Sequence, residues 1–230
     1  MSAWWSAMSG SLALATHYGL AALTGYFTWR LMAAGRRRPD LSLRLWAAAF
    51  AAVALCAFCG ATHQGFAARL DPAVAQSLWR ATLCLAGAAG LLFLSVVVHV
   101  YTSGRLRLAL LALAAAKFTV LALTIADHDD PRYVVVDTVA TLLPLLALSA
   151  WGAWSRRAGP APWVLAGILV ALVAALMHQG RVALHPQFDH NSLFHVIQMV
   201  AMYFLFRAGL ELRDQADESV APAAAPAQGG

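Results

Sequence analysis

Long apolar runs separated by short polar connections divide the chain into seven segments, at residues 11–33, 43–66, 77–102, 106–126, 133–154, 161–180 and 192–210. A helix crossing a hydrocarbon core needs about 20 predominantly apolar residues, and each run meets that need. Backbone in lipid must satisfy its own hydrogen bonds, and none of the runs has the ten-residue alternation of a barrel strand. The pattern predicts an all-α polytopic membrane protein, with a seven-helix transmembrane domain over residues 1–213. The opening MSAWWSAMSG has no basic region or cleavage site, so it reads as a short lead-in to a first span that is retained. Residues 214–230 are polar and then rich in Ala, Pro and Gly, which predicts a disordered tail.

The connections carry the charge. Arg36, Arg37, Arg38 and Arg44 crowd the first, Arg105 and Arg107 the third and Arg156 and Arg157 the fifth, whereas the fourth, DHDDPR, is mostly acidic. By the positive-inside rule the N-terminus lies outside and the C-terminus in the cytoplasm. Composition agrees: 61% of residues are hydrophobic and 12% charged, with a mean hydropathy of +0.66, which excludes an ordinary soluble domain. The net charge of +5 reflects these loops and implies no nucleic-acid partner. Arginine supplies all but one of the 16 basic residues, a usage associated with GC-rich bacterial genomes and hence with a bacterial inner membrane. Cys56, Cys59 and Cys84 lie within apolar runs, which excludes a disulfide framework. Trp4, Trp5, Trp151 and Trp154 read as interfacial anchors.

On this topology the histidines segregate. His17, His63, His128, His178, His185, His190 and His195 fall toward the outer side and only His99 toward the inner. The stretch HQGRVALHPQFDHNSLFH, residues 178–195, also repeats HQGFAARLDPAVAQSLWR, residues 63–80, at an offset of 115 positions. The ungapped match superposes His63 on His178, Gln64 on Gln179, Gly65 on Gly180, Ala68 on Ala183, Ser77 on Ser192 and Leu78 on Leu193. Helices two and three then correspond to six and seven, a parallel 3+1+3 arrangement with helix four as connector. Two similar outer loops with Gly-assisted helix ends would give the same matches.

Several of these residues suit a site. Cys56, Cys59 and His63 recur at i, i+3, i+7 on one helical stripe, and sulfur with imidazole can hold zinc. His63 and His178 end equivalent helices, with His190 and His195 beside the second. Asp189 and Asn191 read either as caps for helix seven or as supporting polar groups. Arg80, which aligns with His195, reads as a snorkelling cation or an anion ligand, and Trp79 as its interfacial neighbour. Lys117 and Asp137 are charges within apolar segments, to be neutralised as an ion pair or used as a relay.

The run HNSLFHVIQMVAMYFLFRAGLEL resembles the last helix of the seven-span superfamily that contains the alkaline ceramidases and the progestin and adipoQ receptors. That resemblance implies a seven-helix membrane protein binding zinc through a histidine ending helix two and a histidine pair opening helix seven, with hydrolysis of lipid amides or esters as its chemistry. His63 and His195 match those positions. Asn191 stands where the family has its second helix-seven histidine, Cys59 where it has a serine, and the aspartate expected early in helix three is absent, with Asp71 preceding that helix.

Three functions are therefore expected in order: a zinc-dependent membrane hydrolase using His63, His178, His190 and His195; a 3+1+3 transporter or ligand-binding protein using Lys117 and Asp137; and a b-type haem protein with two outer histidines as axial ligands. Membrane lipids and a lipid or small-molecule substrate are the expected partners.

Overall fold

The computed structural model describes residues 3–38, 40–155, 159–185 and 188–213, with side chains described from Leu12 onward. Seven helices account for almost all of it: α1 (Ala3–Arg37), α2 (Leu41–Phe66), α3 (Pro72–Tyr101), α4 (Gly104–Asp127), α5 (Arg132–Trp154), α6 (Ala161–Gln179) and α7 (His190–Glu211). A 3-10 turn, Ala67–Arg69, follows α2. The expected tail and the loop arginines Arg156 and Arg157 lie outside the described residues, as do the side chains of Trp4 and Trp5.

Helix boundaries follow local chemistry. The third helix begins at Pro72, five residues before the apolar run, because Asp71 caps it by accepting from Ala73 N at 2.9 Å with Pro at the first position. Likewise α7 begins at His190, behind Asp189, whose Oδ1 accepts from Ser192 N at 2.8 Å and from Ser192 Oγ at 2.8 Å.

Six helices, α2 to α7, are long and apolar enough to cross a membrane, which makes this a multi-pass membrane protein by length and hydropathy. The first helix is longer, at 35 residues, but Thr16, His17, Tyr18, Thr24, Thr28 and Arg30 dilute its apolar character below that of the others. It nevertheless packs along α2 from Leu14 beside Gly65 to Gly35 beside Leu43.

The helices form a ring in the order α1, α2, α3, α5, α6, α7 and back to α1, while α4 lies outside it against α3 and α5. Alternating direction collects His63, His178, His190 and His195 at one end of the bundle and Arg36, Arg38, Arg44 and Arg105 at the other. Arg38 Nη2 donates to Leu210 O at 3.2 Å and ties the last turns of α1 and α7 together at the arginine end.

Toward that end the interior is solid. Trp46, with no exposed surface, stands edge-on to Phe93 at 4.6 Å between ring centroids, and its Nε1 donates to Leu205 O at 2.9 Å. Phe27 stacks on Phe206 at 4.4 Å and meets Phe50 edge-on at 6.0 Å. Such aromatic contacts add about 0.5–1.5 kcal/mol each beyond their burial.

Candidate functional site

Above this aromatic floor the ring encloses a cavity of about 370 Å³. All six ring helices line it, and its wall is mainly apolar: Leu20, Val53, Leu142, Ile168 and Met202 are representative. Cys56, Thr138, Thr141 and Gln198 contribute polar atoms, Asp137 one carboxylate, and His17 and His195 a pair of imidazoles.

The two imidazoles lie face to face, with ring centroids 4.1 Å apart and planes 25° apart. Close approach of α1 to α2 depends on Gly60, where a Cβ would stand 3.0 Å from His17 Cε1. Local hydrogen bonds set both tautomers. Gln64 Oε1 can only accept, so the 3.3 Å contact from His17 Nδ1 puts the proton on that nitrogen. Thr16 Oγ1 donates to Ala13 O at 3.0 Å, which leaves it as acceptor for His195 Nδ1 at 3.4 Å. Both Nε2 atoms therefore keep their lone pairs, with His195 only 7% exposed.

On the opposite side, Lys117 of the outer helix α4 reaches across to Asp137 of α5 and forms an ion pair with its Oδ1, with a further contact to Asp137 O at 3.5 Å. Asp137 is 6% exposed, a position at which an uncompensated carboxylate would be costly. The cavity wall thus carries one negative group that is already neutralised.

The other residues singled out from the sequence are distributed over separate contacts. His63 packs against Trp79 at 5.2 Å between centroids. His178 meets Phe194 at 5.1 Å and His190 at 5.3 Å, and its Nε2 donates to Asn191 Oδ1 at 3.0 Å. Asn191 is therefore the partner of His178, and Asp189 is the cap of α7. Arg80 is committed to the α4–α5 loop, its Nε donating to Asp129 Oδ1 at 2.6 Å. Gln76 Nε2 holds the other carboxylate oxygen at 2.9 Å and Trp79 Nε1 donates to Asp129 O at 2.9 Å. The hydrogen bonds from Arg80 and Gln76 hold the Asp129 carboxyl below the ordinary aspartate range. Cys56 Sγ donates to Thr82 O at 3.3 Å, and Cys56, Cys59 and Cys84 are all free thiols. Cys59 does not line the cavity.

Among the described residues no three His, Cys, Asp or Glu side chains are grouped so as to hold a metal ion. The anticipated set of His63, His178, His190 and His195 is split between Trp79, Asn191 and His17. Nor does the stacked pair present a ready two-nitrogen site, because imidazole binds metal through in-plane lone pairs, and stacked rings direct these side by side rather than toward one point. A pair of axial haem ligands would likewise have to face each other through the iron.

The role of His17 has little signal in the sequence: it is the one histidine of its helix, outside both matched stretches, and its partner His195 lies far along the chain.

The fold and its cavity define a polytopic, all-helical membrane protein with an interior chamber flanked by histidine. The chain belongs to the family of unknown function DUF6962, which residues 12–214 match. No curated protein and no solved structure matches it.

Proposed function

We propose that the protein binds an uncharged, largely apolar small molecule inside the six-helix ring, with His17 and His195 accepting hydrogen bonds from its polar end. The observation that carries this reading is the cavity itself. Its volume of about 370 Å³ falls in the usual range for small-molecule sites, and its wall is apolar with a few placed polar groups. Two Nε2 lone pairs favour a hydroxyl, phenol or N–H donor on the ligand. Pairing of Asp137 with Lys117 removes the reason for an ionic ligand to enter.

The ring order also supports the internal repeat. A two-fold relating α1–α3 to α5–α7 would exchange the α1–α7 contact with the α5–α3 contact, and both occur. The ring contact of His63 with Trp79 has its counterpart, 115 positions on, in His178 with Phe194. Such an architecture, set in a bacterial inner membrane with the histidine end outside, suits a carrier or receptor with its binding site between the two halves.

The test compares an alcohol with its methyl ether, both sized to the cavity, by thermal unfolding of the detergent-purified protein. Ligand at about 100 times its Kd adds roughly 2.7 kcal/mol of stability. The alcohol should stabilise the wild type more than the ether, and Ala171→Phe, which fills the chamber, should abolish both effects. Equal shifts that survive Ala171→Phe would refute the reading. Metal-dependent hydrolysis rests on the family resemblance and the clustering of histidine at one end. About one zinc per untagged chain, lost in both His63→Ala and His195→Ala, would place that reading first.

A further inference from the structure

A second cavity, of about 390 Å³, lies on the outside of the bundle between α1 and α2, at the arginine end. Thr28, Leu31, Met32 and Gly35 of α1 form one wall, and Ala47, Ala48 and Ala51 of α2 form the other. The three alanines leave a trough because none of them projects beyond its Cβ. Met32 on the rim is 54% exposed, so the trough faces the surrounding hydrocarbon and not the central chamber. From Thr28 to Arg36 it runs about 12 Å along the helix axis.

Its polar end is cationic. Arg36 and Arg44 both line it, both are exposed, and neither is within ion-pair distance of a carboxylate among the described residues. Arg37 and Arg38 follow immediately, against the single carboxylate of Asp40. The Asp40 side chain makes no capping bond to α2.

We infer that this groove is a binding site for an anionic phospholipid, with the phosphate held between Arg36 and Arg44 and an acyl chain lying over Ala47, Ala48 and Ala51. Guanidinium groups match phosphate oxygens in a bidentate manner, and basic pockets between membrane helices suit anionic headgroups. Free phosphate would use the rim alone and leave an apolar trough beside it. A zwitterionic lipid would fill the trough but bring its own cation to the arginines. An anionic lipid satisfies both parts. The site is independent of the central chamber.

Native mass spectrometry of the full chain in detergent tests this by titration with phosphatidylglycerol and phosphatidylcholine of identical acyl chains. The wild type should prefer the anionic lipid by about tenfold or more, given two cationic contacts. Arg36→Gln with Arg44→Gln should bring the two lipids to parity. Ala48→Phe, at an exposed position with both charges kept, should weaken the anionic lipid to a similar extent. Arg105→Gln with Arg107→Gln, which removes equal charge from the first turn of α4, should leave the preference intact. The inference is overturned by parity in the wild type, by full binding to Ala48→Phe, or by equal loss in the Arg105/Arg107 pair. Displacement of the lipid by millimolar inorganic phosphate would also overturn it, because the rim alone would then account for binding.

Discussion

The imidazole of His17 lies flat on that of His195, with 4.1 Å between ring centroids, although the residues are 178 positions apart in the chain. Each ring donates through Nδ1 to its own neighbour and keeps Nε2 as an acceptor. The pair therefore joins the first helix to the last and supplies the polar end of the chamber. Its spacing depends on Gly60, since a Cβ there would lie 3.0 Å from His17 Cε1 and 3.2 Å from Thr82 Cγ2. Gly60→Val should lower stability by about 1–3 kcal/mol through overpacking and weaken ligand binding at the same time. Thermal unfolding with and without the alcohol reads both, and a variant that keeps full affinity would show that the stack does not shape the site.

The Lys117–Asp137 pair predicts strong non-additivity. Lys117→Met alone leaves a buried carboxylate unpaired and should cost about 3–5 kcal/mol. Adding Asp137→Asn should recover most of that loss, because the cost arises from the orphaned charge and not from absence of the pair. Unfolding midpoints of the two single variants and the double variant decide it, and a double variant no better than the worse single variant would contradict the argument.

At the α4–α5 loop the sign of the pH effect follows from Asp129. Its carboxyl titrates below its unfolded value of about 3.9 because Arg80 and Gln76 bind the charged form. The anchoring of the loop is therefore fully present above that unfolded value and is lost as pH falls through the depressed folded one. Hydrogen exchange across residues 128–131 should accelerate only in this acid window. Asp129→Asn should exchange quickly at neutral pH and lose the pH dependence.

Trp79 packs against His63, and Phe194 against His178. Trp79→Phe keeps the ring contact and forfeits only the bond to Asp129 O, which should cost about 1 kcal/mol. Trp79→Ala removes both, and a loss of about 2 kcal/mol or more is expected. Similar losses for the two variants would mean that the ring contact with His63 contributes nothing.

The apolar runs made the helices legible because lipid-spanning segments must be long and uniformly hydrophobic. Their ends were less so: α3 starts at Pro72 because Asp71 caps a polar first turn that hydropathy leaves out. Lys117 and Asp137 could be paired from the sequence since a charge in hydrocarbon needs a neighbour of opposite sign. His195 stood out for the same reason, but its neighbour could not be read. That neighbour is fixed by the ring closing α7 onto α1, a long-range relationship that no local period encodes. The ring neighbours of the histidines were equally hidden, since His63 packs against Trp79 while His195 stacks on His17. Arg80, read as a snorkelling cation or an anion ligand, is occupied by Asp129 from a loop 49 positions away.

Because α4 lies outside the ring, its one lysine bears on how the chain is made. Lys117 and Asp137 sit on consecutive helices joined by a connection of only a few residues, 128–131. Presented separately to the bilayer, Lys117 near the middle of α4 would meet a penalty of about 2.5–3.5 kcal/mol, and Asp137, less than two turns into α5, a smaller one. Delivered together as a hairpin, they neutralise one another before either meets lipid. The pair therefore favours insertion of α4 and α5 as a hairpin, in which neither charge is exposed to lipid without its partner.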